Sequence, residues 1–175
     1  MKKKIKLEKF KLSFLKSTDY LKWLENLNNI KTIGREDLFL LIKKKRIKNY
    51  VKNVIESEDD FFYLIRNEIG TPVGTIKLSH IDWYSRNAEI GVMIDENFRS
   101  NGYATLAINA VCKLAFEKLG LHKLTGGFMN KNISMKKAFI KNQFKIEGLR
   151  KKHLYAHGKY HDMLMVGLIN KRNNK

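Results

Sequence analysis

The stretch AEIGVMIDENFRSNGYATLAI, residues 88 to 108, joins three kinds of chain. Residues 88–94 form an apolar run with one carboxylate, Glu89, and read as a strand. Arg99-Ser100-Asn101-Gly102 is a short basic loop. Beyond it, Ala104, Ala107, Ile108, Val111, Leu114, Ala115 and Leu119 recur at spacings of three and four, which predicts an amphipathic helix, with Gly120 as its stop. A strand feeding a helix through such a loop brings unpaired N–H groups and the positive end of a helix dipole to one point. That point suits an anion, above all a pyrophosphate. Gly102 puts no Cβ in the way, Ala104 keeps the first turn narrow, and Arg99 can add a charge-assisted hydrogen bond. The loop alone does not decide the matter, since an ordinary strand–helix connection has the same outline. It lacks the Gly-Lys-Ser/Thr ending of a mononucleotide P-loop, and Gly102 stands alone where a dinucleotide fingerprint needs three glycines.

The flanks of this stretch extend the pattern. Upstream, residues 4–16 alternate as a strand, residues 17–29 and 36–56 show helical spacing, and residues 61–82 read as two strands around Gly70-Thr71-Pro72. Downstream, residues 122–129 are a short strand and residues 132–142 a helix capped by Asn132 or Ser134. Residues 144–169 read as two strands joined near His157-Gly158. A meander followed by a strand–helix–strand unit predicts an α/β (α+β) fold: a mixed, mostly antiparallel sheet with helices on both faces. The 175 residues, with one proline and no linker or repeat, point to a single domain over 1–175.

Charge is the compositional outlier. Thirty-five Lys and Arg against seventeen Asp and Glu give a net +18. Such a field attracts anionic ligands and repels polycations, and it keeps nucleic acid open as a lesser partner. The positives are scattered, however, so a solvated lysine-rich surface explains most of them. The basic start has no apolar core segment or small-residue cleavage site, and no run approaches the roughly 20 apolar residues of a membrane span. A cytoplasmic protein with no membrane partner is expected. The single cysteine, Cys112, forbids an internal disulfide and reads as a packed thiol. His153, His157, His161 and Asp162 fall on strands and a turn, where steps of four do not converge, so no metal site is expected.

Three elements in order carry a resemblance: residues 88–108, Asn132-x-Ser134 before a helix, and Phe144-x-x-Glu147-Gly148 after it. Together they resemble the GNAT N-acetyltransferase superfamily, in the branch of ribosomal-protein and aminosugar acetyltransferases. The likeness spans roughly residues 5–170 and is strongest from 72 onward. It implies a fourth strand that carries a bulge and splays from the fifth, with acetyl-CoA as cosubstrate and no metal. Pantetheine would pair with backbone groups of Val92 and Ile94, and an N–H near Val92 or Met93 would face the developing oxyanion. Pyrophosphate would lie on Arg99, Ser100, Asn101, Gly102, Tyr103, Ala104 and Thr105, with Asn132 on the pantetheine arm and Lys137 toward adenosine. Glu89 is the expected proton acceptor for the amine, directly or through water, and Ser134 the expected hydrogen-bond donor to the departing sulfur.

Against these roles stand plainer ones. Asn132 and Ser134 suit a helix start, Glu89 a surface carboxylate, and Val92 and Ile94 a core. The sequence also departs from the family. Phe139 stands where a proton-donating tyrosine is common, Gln143 where glycine usually precedes the phenylalanine, and Leu154 where the ribosomal-protein branch has a carboxylate. His153 is an alternative base, and Trp23, Trp83 and Tyr84 are candidates to border the acceptor. The charge disfavours a polyamine. The acceptor expected is a primary amine, first a nucleotide-linked aminosugar, alternatively the N-terminus of a ribosomal or other protein. A basic binding module for CoA or RNA with weak catalysis is the reading of another class, and a homodimer is left open.

Overall fold

The computed structural model describes residues 3–9, 52, 53 and 55–171. The helices expected over 17–29, most of that over 36–56, and Trp23 lie outside the described residues. Seven strands form one sheet: β1 (Lys6–Lys9), β2 (Phe61–Arg66), β3 (Pro72–Asp82), β4 (Asn87–Ile94), β5 (Lys123–Met129), β6 (Lys145–Ala156) and β7 (Lys159–Ile169), in the spatial order β1-β2-β3-β4-β5-β7-β6. Every neighbouring pair is antiparallel except β4 and β5. That parallel pair needs a crossover, and α1 (Tyr103–Lys113), extended by a π-helical turn at Leu114–Lys118, supplies it. A second helix, α2 (Ile133–Lys141), connects β5 to β6.

Alternation along the strands sorts the side chains. Leu78, Ile90 and Gly126 share one face by register, as do Ala88 with Leu124 and Phe128 with Leu164. Against this face pack Ala107, Ile108 and Val111 of α1 and Ala138 and Phe139 of α2, all buried. Asn142 ties the helices together, donating from Nδ2 to the Thr105 carbonyl at 3.0 Å and the Ala138 carbonyl at 2.9 Å.

Two turns explain themselves in backbone terms. The β6–β7 hairpin pairs Ala156 with Lys159 across a two-residue turn in which His157 and Gly158 both have positive φ (50° and 73°), as a type I′ turn requires. Helix α2 ends in a Schellman motif: Phe144 N–H donates to Phe139 C=O and Gln143 N–H to Ile140 C=O, while the rings of Phe139 and Phe144 meet edge-on at 4.9 Å. Gln143 takes the left-handed position, φ 67°, that glycine usually fills.

Candidate active site

Between β4 and β5 the ladder runs from Asn87↔Lys123 to Ile90↔Gly126 and stops. From there β4 stays paired with β3 through Gly74↔Ile94, and β5 stays paired with β7 through Met129↔Met163. Gly91, Val92, Met93 and Ile94 therefore have no β5 partner, and a wedge opens between two strands that are each held on their far side. The expected splay is present. The expected bulge is not in β4: its register with β3 is unbroken from Ile94 to Glu89, and the shift falls on the β3 side, where His80 has φ 53°.

At the open end, the chain leaves β4 through Asp95. Its buried carboxylate accepts from Asn97 N–H, and its own N–H donates to the Val73 carbonyl. Arg99 folds back, donating from Nε to the Ile94 carbonyl at 3.2 Å. Ser100 (φ 58°) and Gly102 (φ 83°) turn the chain into α1, whose first bond is Leu106 N–H to Gly102 C=O. Among the described residues nothing accepts from the N–H groups of residues 100–105. Beyond its chain neighbours, no atom of the described residues lies within 4 Å of where a Cβ on Gly102 would sit. The first turn of α1 has no acidic residue. An open cradle of unpaired N–H groups at the positive end of a helix fits a pyrophosphate. All seven residues expected there, Arg99 through Thr105, are thus brought together, next to the stretch of β4 without a β5 partner that holds Val92, Met93 and Ile94.

Helix α2 starts at the same end of the sheet, just after β5. Asn132 is its cap, with Oδ1 accepting from Met135 N–H at 3.0 Å, so the plainer role of that residue is realised. Ser134 is exposed on the first turn, and Lys137 is exposed farther along. Phe139 stands where a tyrosine was looked for, but its ring is in the core. It stacks on Phe128 at 5.5 Å and covers Gly126, where an added Cβ would come within 2.8 Å of the ring. The hydroxyl of Ser134 is exposed on the first turn of the helix at this end, followed by the ammonium groups of Lys136 and Lys137.

Glu89 projects from the sheet face opposite α1 and α2, in register with Ser79 on β3 and Thr125 on β5, one residue before the ladder stops. Its side chain is 43% exposed, and Oε2 lies 3.8 Å from His80 Nδ1. Beside it, the buried hydroxyl of Ser79 has no hydrogen-bond partner among the described residues. Ser79 is a residue that sequence reasoning missed, and its one available signal was the β3–β4 register. Lys3 is the other: its ammonium reaches Asn101.

Other candidates are placed elsewhere. Trp83 and Tyr84 occupy the β3–β4 turn, at the end of the sheet remote from the wedge, with Trp83 Nε1 donating to Asp59 at 2.9 Å, so they do not border the opening. Asp162 and His161 are used inside the hairpin, Asp162 accepting from Lys152 N–H and His161 Nε2 lying 3.1 Å from the Ala156 carbonyl. His153 is exposed on the β6 bulge between Arg150 and Leu154. Cys112 is buried, and burial pushes its thiol up to about 12.

The family model for the acetyltransferase (GNAT) domain matches residues 16–145. A candidate N-acetyltransferase of Bacillus subtilis (strain 168), YjcK, is 26% identical over 129 residues, covering 73% of this chain and 71% of its own. A candidate ribosomal N-acetyltransferase of the same organism, YdaF, is 29% identical over 105 residues, 57% of this chain and 55% of its own. Among solved structures, spermidine N-acetyltransferase from Vibrio cholerae in complex with CoA and spermine superposes with a TM-score of 0.81 at 18% identity, covering 94% of this chain and 95% of that one. No helix among the described residues is long and apolar enough to cross a membrane. The wedge between β4 and β5, the cradle at the start of α1 and the match over 130 residues together make this chain a member of the GNAT family, an N-acetyltransferase.

Proposed function

We propose that the protein moves the acetyl group of acetyl-CoA directly onto a primary amine borne by an anionic molecule, foremost a nucleotide-linked aminosugar. The wedge carries this reading: over residues 91–94 the backbone groups of β4 that do not pair with β3 are open to an extended ligand, and the cradle at residues 99–105 sits where that ligand's pyrophosphate would lie. Bound acetyl-CoA supplies an activated thioester. The remaining demands fall on the chain. A backbone N–H at Val92 or Met93 faces the oxygen on which negative charge develops. Glu89 takes the proton of the attacking amine, directly or through a water. Ser134 donates to the departing sulfur.

The net charge of +18 supports an anionic carrier and opposes a polyamine. Likeness in fold to a spermidine acetyltransferase does not reverse that electrostatic argument. The likeness to YdaF favours a second acceptor, the N-terminus of a ribosomal protein, whose RNA surroundings are also anionic. The test is release of free CoA from acetyl-CoA with three acceptors: a nucleotide-linked aminosugar, a peptide with a free N-terminus, and spermidine. The aminosugar is expected to give the highest kcat/KM. Preference for spermidine would refute the acceptor class. CoA binding without release on any amine would leave a binding module.

A further inference from the structure

The cradle at residues 99–105 has a second cation besides Arg99, and it comes from the far end of the chain. Lys3 Nζ donates to Asn101 Oδ1 at 2.9 Å and to the Asn101 carbonyl at 3.2 Å, and it lies 5.2 Å from the centroid of the Tyr103 ring. Its position is built and not incidental. The next residue, Lys4, donates its backbone N–H to Glu68 Oε1 at 2.8 Å. That bond is the first cause holding the Glu68 carboxyl below the usual carboxylate range; Glu68's own N–H adds to it, desolvation opposes it, and the charge of Lys3 contributes least. Glu68 belongs to a turn that is itself fixed, since Asn67 Oδ1 accepts from Ile69 and Thr71 N–H. Two residues later the arm enters β1, whose register with β2 starts at Lys6↔Arg66.

Positive charge outweighs negative charge in this arrangement, since Lys3 acts on the Glu68 carboxylate only from beyond ion-pair distance. Lys3 and Arg99 both stand at the positive end of α1, where cations are repelled, and no acidic residue lies in the first turn. The partners of Lys3 on Asn101 are neutral oxygens. Among the described residues no carboxylate comes within ion-pair distance of it. An ammonium has three N–H donors, and Asn101 takes two.

We propose that Lys3 is a phosphate ligand of the donor site, delivered by an N-terminal arm that Glu68 pins, so that the pyrophosphate of acetyl-CoA is held between Arg99 and Lys3 above the N–H groups of α1. This rests on the reading of residues 99–105 as the pyrophosphate site. The arm is then part of the binding site and not only the lead into β1.

The test uses the full chain with Lys3→Met, which keeps the apolar stem and removes the charge, and Lys3→Arg, which restores it. Calorimetric affinity for CoA is measured at two salt concentrations, and turnover is measured with acetyl-CoA and with S-acetyl-pantetheine, which lacks the phosphates. Lys3→Met is expected to weaken CoA by about fivefold at low salt and less at high salt, to leave kcat and the use of S-acetyl-pantetheine unchanged, and to be rescued by Lys3→Arg. Glu68→Ala, which frees the arm, is expected to cause part of the same loss. Equal losses with both donors would overturn the proposal in favour of a merely structural arm. Unchanged CoA affinity in Lys3→Met would overturn it outright while the donor site stands. A wild-type protein that binds no CoA would overturn the donor reading itself.

Discussion

Replacing Gly102 separates the strain of the loop from its use. Gly102 has φ 83° and ψ 0°, and beyond its chain neighbours no atom of the described residues lies within 4 Å of a Cβ built there. An alanine Cβ therefore meets no collision with the described residues, and its folding cost is the left-handed backbone alone, about 1–2 kcal/mol. A reduction in unfolded-state entropy offsets roughly half of that. A net loss near 1 kcal/mol lowers Tm by about 2–4 °C in a chain of this size. Gly158→Ala is a matched control, since Gly158 has φ 73°, an equally open Cβ position and a place in the distant hairpin. Gly102→Ala and Gly158→Ala should shift Tm alike in thermal denaturation. Only the loop variants should weaken acetyl-CoA. Gly102→Val, whose branched side chain fills the space a phosphate would approach through, should lose at least about tenfold, or ~1.4 kcal/mol, in calorimetric affinity. A folded Gly102→Val protein that binds acetyl-CoA as the wild type does would refute the assignment of the cradle.

Three further outcomes are expected. Ser134→Ala should lower kcat while sparing CoA affinity, because a contact made to the departing sulfur acts in the transition state; a fall in Tm matching the fall in activity would return Ser134 to a helix-start role. Glu89→Gln should lower turnover by on the order of 10²-fold near neutrality, with the deficit shrinking toward pH ~10, where alkyl amines lose their proton unaided. Superimposable pH–rate profiles would remove Glu89 as a base, and a deficit constant with pH would make it an orienting group. Cys112 has a thiol raised by burial from 9.0 to about 12. The folded state then holds a proton that the unfolded state releases above pH 9.0, so this contribution to stability is whole below that pH and declines as pH rises towards about 12. Denaturant titrations should show Cys112→Ala flattening that alkaline decline.

Local pattern explains which elements were legible. The 3.6-residue stripe from Ala104 to Leu119 foretold α1 to within one residue at its start, and His157-Gly158 foretold the hairpin turn. The stripe did not foretell that the last turn widens to a π-helical one at Leu114–Lys118, closed by Leu119 N–H donating to the Leu114 carbonyl. The expected glycine at the end of α2 is replaced by Gln143, yet the Schellman bonds form. The contact between the rings of Phe139 and Phe144 helps to hold the unfavourable φ, and that contact is invisible until both are placed. Lys3 left no signal at all. Ninety-eight residues separate it from Asn101, and the lysines at the start of the chain looked like surface charge.

The two halves of the site differ in legibility for one physical reason. The donor half is made of backbone: N–H groups freed by a strand–loop–helix connection, and carbonyls and amides freed where a ladder stops. Those follow from consecutive residues, so a single stretch of about twenty residues points to them. The half proposed to handle the amine is made of side chains meeting across strands, and register decides the meetings. Glu89 faces Ser79 because Gly74↔Ile94 sets the frame of β3 against β4, and it faces Thr125 because α1 returns the chain in that frame. In a regular strand His80 would point away from the face that Ser79 shares with Glu89. The bulge at His80 breaks the alternation and brings its imidazole to 3.8 Å from the carboxylate. One extra residue in β3, with no turn-forming signature around it, thus determines what stands beside the expected base. A substitution that removes the positive φ at His80 would alter the surroundings of Glu89 and leave the cradle of α1 untouched.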